Sequence, residues 1–148
     1  MKKITLIIIC TFFMISAGVS DFINSEEKYN LEGVWDLQNQ FLYENNEVSD
    51  TVVNQNGYRQ VKIYSKGKVM WTRYDPADQN EWFGYGTYTI KDNILEERLE
   101  YASGTMMKII DTTDVFKFEL VMGKDSYQQI ALNKDGSYSN SENYKRIE

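Results

Sequence analysis

The residues whose types could support acid–base chemistry form one short charged run, Glu96-Glu97-Arg98-Leu99-Glu100. Where histidine is absent, paired carboxylates are the side chains best able to donate and accept protons. In an extended strand, however, successive side chains point to opposite faces. Glu96, Arg98 and Glu100 then share a face that we expect to meet solvent, where charges flanking an arginine are ordinary. Glu97 falls on the other face, among apolar neighbours.

A carboxylate on an apolar face costs free energy unless it is paired. We therefore predict that Glu97 faces the interior of the fold, and two roles for it stay open. Either it has a structural partner, such as Arg73 or a tyrosine hydroxyl, or it orients a bound ligand. An enzyme that used Glu97 with a tyrosine or arginine as an acid/base pair is the third and least favoured reading, so we do not expect an enzyme.

The absence of histidine excludes the commonest catalytic devices. The chain has 0 His and 1 Cys, which is Cys10. Histidine-based triads, histidine general bases and most catalytic zinc sites are therefore ruled out. The turn at 133–137 loosely resembles a calcium loop, but its glycine comes too early for an EF-hand and no flanking helices are predicted. We predict a hairpin turn there, and neither a metal nor a cofactor.

The first twenty residues have the pattern of a signal peptide. Lys2 and Lys3 precede an apolar run, 4–15, and small residues follow up to Ser20. This predicts cleavage near Ser20 and an exported protein, periplasmic or extracellular, with an uncleaved anchor as the alternative. Cys10 lies within the apolar run and is expected to be an ordinary residue of it. We predict a flexible lead-in at 21–30 and one domain at 31–148, held together by its core without disulfides.

The chain is mildly acidic. The net charge is −6, and loss of Lys2 and Lys3 would take it to −6 − 2 = −8. No basic stripe is present, so nucleic acid is not an expected partner.

Short alternating segments separated by turn residues predict an all-β fold. The turns include Asn56-Gly57 and Asp135-Gly136, both strong turn dipeptides. Two longer loops are predicted, 44–57 and 102–114, the second with a short helical turn near 106–110. Eight sequential strands are typical of a closed, antiparallel, up-and-down β-barrel. The predicted strands are 33–43, 59–65, 68–74, 82–90, 94–101, 115–122, 127–132 and 141–147.

Two strands need their faces assigned. In the first strand, alternation places Trp35, Leu37, Phe41 and Tyr43 on one face. In the strand 82–90 both faces carry aromatic rings, so alternation does not decide which face points inward.

A resemblance to a known family starts from Gly33-x-Trp35 on the first strand. This motif after a signal peptide, followed by a β-meander, resembles the lipocalins and the wider calycin group, and most closely bacterial secreted lipocalin-like domains of undefined ligand. Segments 84–90, 97–101 and 144–147 fit as well. In that family an arginine of the last strand packs across the first-strand tryptophan and closes one barrel end. The resemblance therefore implies structural roles for Gly33, Trp35 and Arg146.

An eight-stranded barrel is either filled by its own side chains or holds one small ligand. Our leading prediction is non-catalytic binding of a small apolar or amphipathic molecule, with tryptophan and tyrosine supplying an apolar body and a polar tip. The predicted ligand contacts are Trp71, Arg73, Tyr85, Tyr88, Glu97, Phe118 and Tyr127.

The alternative is a module that binds or inhibits a protein or an envelope component, with a packed barrel that acts through its loops. An apolar cluster in the second long loop either plugs one barrel end or forms this partner surface. The cluster is Met106, Met107, Ile109 and Ile110. In the first long loop, Val48, Val52 and Val53 either cap a cavity or belong to a mobile surface loop.

Overall fold

The computed structural model describes residues 30–148; the predicted signal peptide, 1–20, and the lead-in up to residue 29 lie outside the described residues. The described part contains nine β-strands and one short α-helix. In chain order these are β1 (Gly33–Glu44), β2 (Glu47–Val53), β3 (Arg59–Ser65), β4 (Lys68–Tyr74), β5 (Trp82–Lys91), β6 (Ile94–Ala102), α1 (Gly104–Ile110), β7 (Phe116–Met122), β8 (Ser126–Leu132) and β9 (Tyr138–Arg146).

The sheet closes into a barrel because β1 pairs with both β3 and β9. Eight strands, β1 and β3 to β9, follow one another around the ring, and every pairing is antiparallel. The predicted all-β, up-and-down antiparallel barrel of eight strands is confirmed. Its tight hairpins use residues in the left-handed region, such as Lys66 and Gly67 at φ 47° and 76°.

The ninth strand, β2, corrects the prediction of a loop at 44–57. It pairs with the outer half of β1, from Asn39 opposite Val53 to Glu44 opposite Glu47. All seven of its residues are exposed, so no apolar alternation marked it in the sequence. The turn that makes it is Asn45-Asn46, with φ of 54° and 64°, values that asparagine tolerates.

The valines of β2 do not line the barrel interior. Val48, Val52 and Val53 lie on this added strand, outside the ring, and are 44–53% exposed. The expectation that they cap a cavity is wrong, because pairing with β1 holds them on the outside.

A β-bulge in β1 reverses its alternation. Leu37 lies opposite Tyr144 and Asn39 lies opposite Asn143, which leaves one extra residue between them. Trp35 and Leu37 point into the core, whereas Phe41 and Tyr43, beyond the bulge, point outward. The prediction that these four share one face is wrong, because an inserted residue shifts a period-two pattern by one position.

One end of the barrel is sealed around Trp35, whose side chain is fully buried. Its indole Nε1 donates to the carbonyl of Leu31 at 2.7 Å, and the guanidinium of Arg146 lies 4.1 Å from its ring. Arg146 also donates to the carbonyls of Glu32 and Asn30, at 2.5 Å each. Gly33 has φ +136°, and a Cβ there would collide with the Arg146 guanidinium.

Above this seal the interior is filled by aromatic rings. Tyr127 stacks on Tyr144 with centroids 4.7 Å apart and meets the edge of Trp35 at 4.8 Å. Tyr64 lies edge-on to Tyr88 at 4.9 Å and to Tyr127 at 6.1 Å. Removal of apolar surface such as these rings from water supplies most of the driving force for folding.

Helix α1 lies where the barrel wall is incomplete. β6 pairs with β7 only over Ile94–Glu97, so the rest of β6 has no partner in β7. Ser103 caps the helix through a hydrogen bond from the Met106 amide to its hydroxyl, and its own amide donates to the Phe83 carbonyl of β5. The predicted helical turn near 106–110 is confirmed. Within residues 30–148 no helix has the length and apolar character needed to cross a membrane.

Candidate functional site

The half of the barrel away from Trp35 contains an open-mouthed cavity of about 370 Å³. It is lined by both apolar and polar side chains. The apolar lining residues are Trp71, Trp82, Leu99, Met106, Ile109, Phe116, Phe118 and Ala131. The polar lining residues are Gln60, Lys62, Arg73, Glu97, Gln129, Asn140 and Glu142.

The register of three neighbouring strands places the two tryptophans in this cavity. Arg73 of β4 lies between Gln60 of β3 and Trp82 of β5. One step further in, Trp71 lies opposite Gly84, where a Cβ would stand 2.7 Å from the Trp71 Nε1. The missing side chain of Gly84 therefore makes the space that the Trp71 indole occupies. The face of β5 that carries Trp82 and Gly84 therefore points into the barrel, which the sequence pattern left undecided.

A buried ion pair forms the floor of the cavity. The Lys62 ammonium lies 3.0 and 3.2 Å from the two carboxylate oxygens of Glu97 and 3.0 Å from the Gln129 Oε1. Lys62 and Glu97 are each 3% exposed. The Tyr64 hydroxyl donates to Glu97 at 2.5 Å. Glu97 thus faces the interior, and its partners are a tyrosine hydroxyl, as one alternative expected, and Lys62, not Arg73.

A second carboxylate, Glu142, is held by neutral donors. It accepts hydrogen bonds from Gln60 Nε2 at 3.0 Å, Gln129 Nε2 at 2.8 Å and the Tyr144 hydroxyl at 2.7 Å. Among residues 30–148 no cation lies within ion-pair distance of it. These three hydrogen bonds use acceptor positions on both carboxylate oxygens of Glu142.

Arg73 is the cavity cation that forms no ion pair within residues 30–148. Its guanidinium lies 4.1 Å from the centre of the Trp82 ring. Its Nε is buried and has no hydrogen-bond partner within the described part of the chain. The side-chain amide of the adjacent Gln60 donates to Glu142 and Tyr144 and accepts from Tyr58.

The tyrosines near the cavity are perturbed by their surroundings. Burial raises the pKa of Tyr58, Arg73 lowers it through its charge and a hydrogen bond, and the Glu142 charge raises it. Deeper in the barrel, burial raises the pKa of Tyr64, Tyr127 and Tyr144 well above 10.0. These three hydroxyls therefore stay protonated at neutral pH.

Of the seven predicted ligand contacts, the structure brings four to the cavity: Trp71, Arg73, Glu97 and Phe118. The others lie elsewhere. Tyr88 and Tyr127 pack in the aromatic core. Tyr85 is on the outer face of β5, where its ring lies 5.2 Å from that of Tyr101.

The apolar cluster of α1 is divided. Met106 and Ile109 line the cavity, whereas Met107 and Ile110 do not. Met106 is 8% exposed and Ile109 is 40% exposed. That the cluster plugs one barrel end, or instead forms a partner surface, stays a prediction.

Several lining residues were missed from the sequence. Lys62 carried a signal, because it is the inward member of the alternating segment 59–65. Trp82 was masked by rings on both faces of its strand. Glu142 and Gln129 are ordinary polar residues in strands, and only closure of β1 on β9 brings Glu142 opposite Gln60.

The arrangement is suited to binding a molecule that has an apolar side and a polar side. The Glu97 and Glu142 carboxylates are already held by hydrogen bonds from neighbouring side chains. Within residues 30–148 no group of three or more histidine, cysteine, aspartate or glutamate side chains is placed to hold a metal ion.

Comparisons with known proteins support the fold. No family model and no curated protein matches the chain. A solved structure that is similar is the crystal structure of an uncharacterized protein from Bacteroides eggerthii DSM 20697, determined at 2.60 Å. The likeness has a TM-score of 0.50 and 15% sequence identity, over 80% of this chain and 100% of that chain. At this identity the likeness shows the shared barrel fold.

Proposed function

We propose that this protein is an exported, lipocalin-like barrel that binds one small apolar or amphipathic molecule without chemistry. The observation that carries the proposal is the cavity of about 370 Å³ that both aromatic and polar side chains line. Pockets of small-molecule binding proteins have this composition, and their volumes begin at roughly 300 Å³. The volume therefore favours a ligand of a few fused rings or a short chain.

The closed end supports the lipocalin-like part of the proposal. Gly33, Trp35 and Arg146 meet there in the arrangement that the family resemblance implies, with the arginine across the tryptophan ring. The pattern of the first twenty residues supports export. The absence of histidine and the engagement of both cavity carboxylates support binding without catalysis.

The test is to identify what the protein carries. Protein purified gently from its native producer is extracted with organic solvent, and the extract is analysed by mass spectrometry. We expect a small molecule in near-stoichiometric amount. Ala131→Phe, which places a ring inside the cavity, should lose it. Thr89→Phe, which adds the same ring at an exposed position of β5, is the matched control and should keep it.

An extract without a small molecule, together with no binding of the neutral fluorescent probe N-phenyl-1-naphthylamine, would contradict the proposal. Equal retention by Ala131→Phe and Thr89→Phe would place the bound molecule elsewhere on the protein and would contradict it as well.

A further inference from the structure

Arg73 has a property that no other charged group of the cavity shares. Lys62 is neutralised by Glu97 at 3.0 Å, and Glu142 accepts three hydrogen bonds. Arg73, by contrast, lines the cavity and forms no ion pair within residues 30–148, and its buried Nε has no acceptor there. A guanidinium that lines a cavity without a carboxylate partner can pair, through its outer nitrogens, with an anion supplied from outside the protein.

The neighbours of Arg73 are already occupied. Asp78 is close enough for the Arg73 charge to help lower its pKa, after hydrogen bonds from Asn80 and Trp82. Its carboxylate, however, accepts from the Trp82 Nε1 at 2.8 Å and from Asn80, and forms no ion pair with Arg73. The Arg73 guanidinium meanwhile lies 4.1 Å from the centre of the Trp82 ring at the cavity wall. A cation–π contact of this kind restricts the positions that the guanidinium can take before a ligand binds.

We infer that the ligand is an aromatic or otherwise apolar monocarboxylate whose carboxylate is bound by Arg73, an inference that rests on the function proposed above. A carboxylate supplies two acceptor oxygens in the geometry that guanidinium matches. The apolar body then lies along Trp71, Phe116 and Phe118, which line the same cavity.

The other charges of the cavity limit the negative charge that the ligand can carry. Lys62 is paired with Glu97, which leaves Arg73 as one positive charge for the ligand. Gln60 lies opposite Arg73 in the register of β3 and β4 and donates to Glu142 at 3.0 Å, so Glu142 is near the proposed head group. Its carboxylate would repel a dianion such as a phosphate monoester more strongly than a monoanion.

The experiment compares two probes that differ only in charge, 2-naphthoate and its neutral isostere 2-naphthamide. Both are titrated calorimetrically into the ligand-depleted protein at neutral pH. We expect naphthoate to bind at least about tenfold more tightly, as a charge-assisted hydrogen bond predicts. Arg73→Met should remove this preference. Arg98→Met, at an exposed position on the outer face of β6, is the matched control and should keep it.

The outcomes separate the inference from the function it rests on. The inference would be overturned if the wild-type protein bound the two probes with equal affinity. It would also be overturned if 2-naphthyl phosphate bound more tightly than naphthoate. Either result would leave the proposed ligand-binding function standing. Failure of both naphthalene probes to bind would overturn both. A thermal unfolding curve for Arg73→Met shows whether the variant is folded, and Arg73→Lys, which keeps the charge, should retain part of the preference.

Discussion

The two halves of the barrel are built from the same kinds of residue but differ in what faces each ring. At the closed end the rings of Trp35, Tyr64 and Tyr127 meet one another at 4.8–6.1 Å and fill the interior. At the open end Trp71 faces a glycine and Trp82 faces a guanidinium, and a cavity remains. Aromatic content alone therefore does not distinguish a filled core from a cavity. The distinction lies in which residue of the neighbouring strand faces each ring.

The same contrast holds for two buried polar atoms that lack partners. The Tyr127 hydroxyl and the Arg73 Nε both have no hydrogen-bond partner within residues 30–148. Tyr127 lies in the sealed core, where no ligand can reach it, whereas Arg73 lines the cavity. The first accompanies the tight packing of aromatic rings, and the second belongs to the side chain that we propose as the ligand's partner.

The largest effect should come from alkaline pH, which acts on the closed end. Burial raises the pKa of Tyr64, Tyr127 and Tyr144 well above 10.0, so the unfolded chain loses these protons first as the pH rises. Stability is therefore full below pH 10 and falls above it. One pH unit above 10.0, the free energy of unfolding should be lower by on the order of 1 kcal/mol for each of the three groups. Urea unfolding at both pH values measures this, and Tyr64→Phe should reduce the loss by about a third.

Replacing Trp35 or Trp71 with alanine should show that the closed and the open half of the barrel differ in what their tryptophans do. Trp35→Ala removes a fully buried ring and should lower the free energy of unfolding by about 4 kcal/mol. Trp71→Ala removes a half-buried ring on the cavity wall, and we expect a smaller loss of stability with at least about a tenfold loss of affinity for 2-naphthoate. Equal losses of stability would show that the cavity is part of the packed core.

Removing one member of the buried ion pair between Lys62 and Glu97 should lower the stability of the protein. Lys62→Met leaves Glu97 buried without its cation and should lower stability by about 3 kcal/mol. Adding Glu97→Leu to it should recover much of this loss. The exposed pair between Lys68 and Glu100 is the control: Lys68→Met should change stability too little to detect. Equal effects at both lysines would mean that the floor pair is not shielded from water.

The smallest effect concerns the tyrosine without a partner. Tyr127→Phe removes a buried hydroxyl that makes no hydrogen bond and should leave stability unchanged or raise it by up to about 1 kcal/mol. Tyr144→Phe removes a hydroxyl that donates to Glu142 and accepts from Gln60, and should lower stability. Chemical denaturation of the two variants side by side checks the difference, and a marked loss in Tyr127→Phe would contradict it.

The barrel could be predicted from the sequence because alternation marks most of its strands and local turn chemistry marks several of its connections, as at Lys66-Gly67. The prediction failed where local pattern carries no information. β2 has no buried face, and the bulge beyond Leu37 is a single extra residue that nothing in the residue types announces. Both follow from pairing with distant strands.

For the cavity, alternation identified the inward positions Trp71, Arg73 and Glu97, since one face of each strand is buried. Alternation could not show which of the inward-facing aromatic side chains packs against a second aromatic side chain. Tyr127 and Trp71 read alike in the sequence, but one faces Tyr144 and the other faces Gly84. That distinction depends on register across the barrel.

The most direct test of the central claim uses the three tryptophans as reporters. Trp35 lies in the sealed end, and Trp71 and Trp82 line the cavity. Their indole N–H signals are assigned by single Trp→Phe variants and followed by NMR as 2-naphthoate or 2-naphthamide is added. A cavity that binds ligand predicts shifts of the Trp71 and Trp82 signals while the Trp35 signal stays in place. No shift at either cavity tryptophan, or shifts at all three alike, would contradict it.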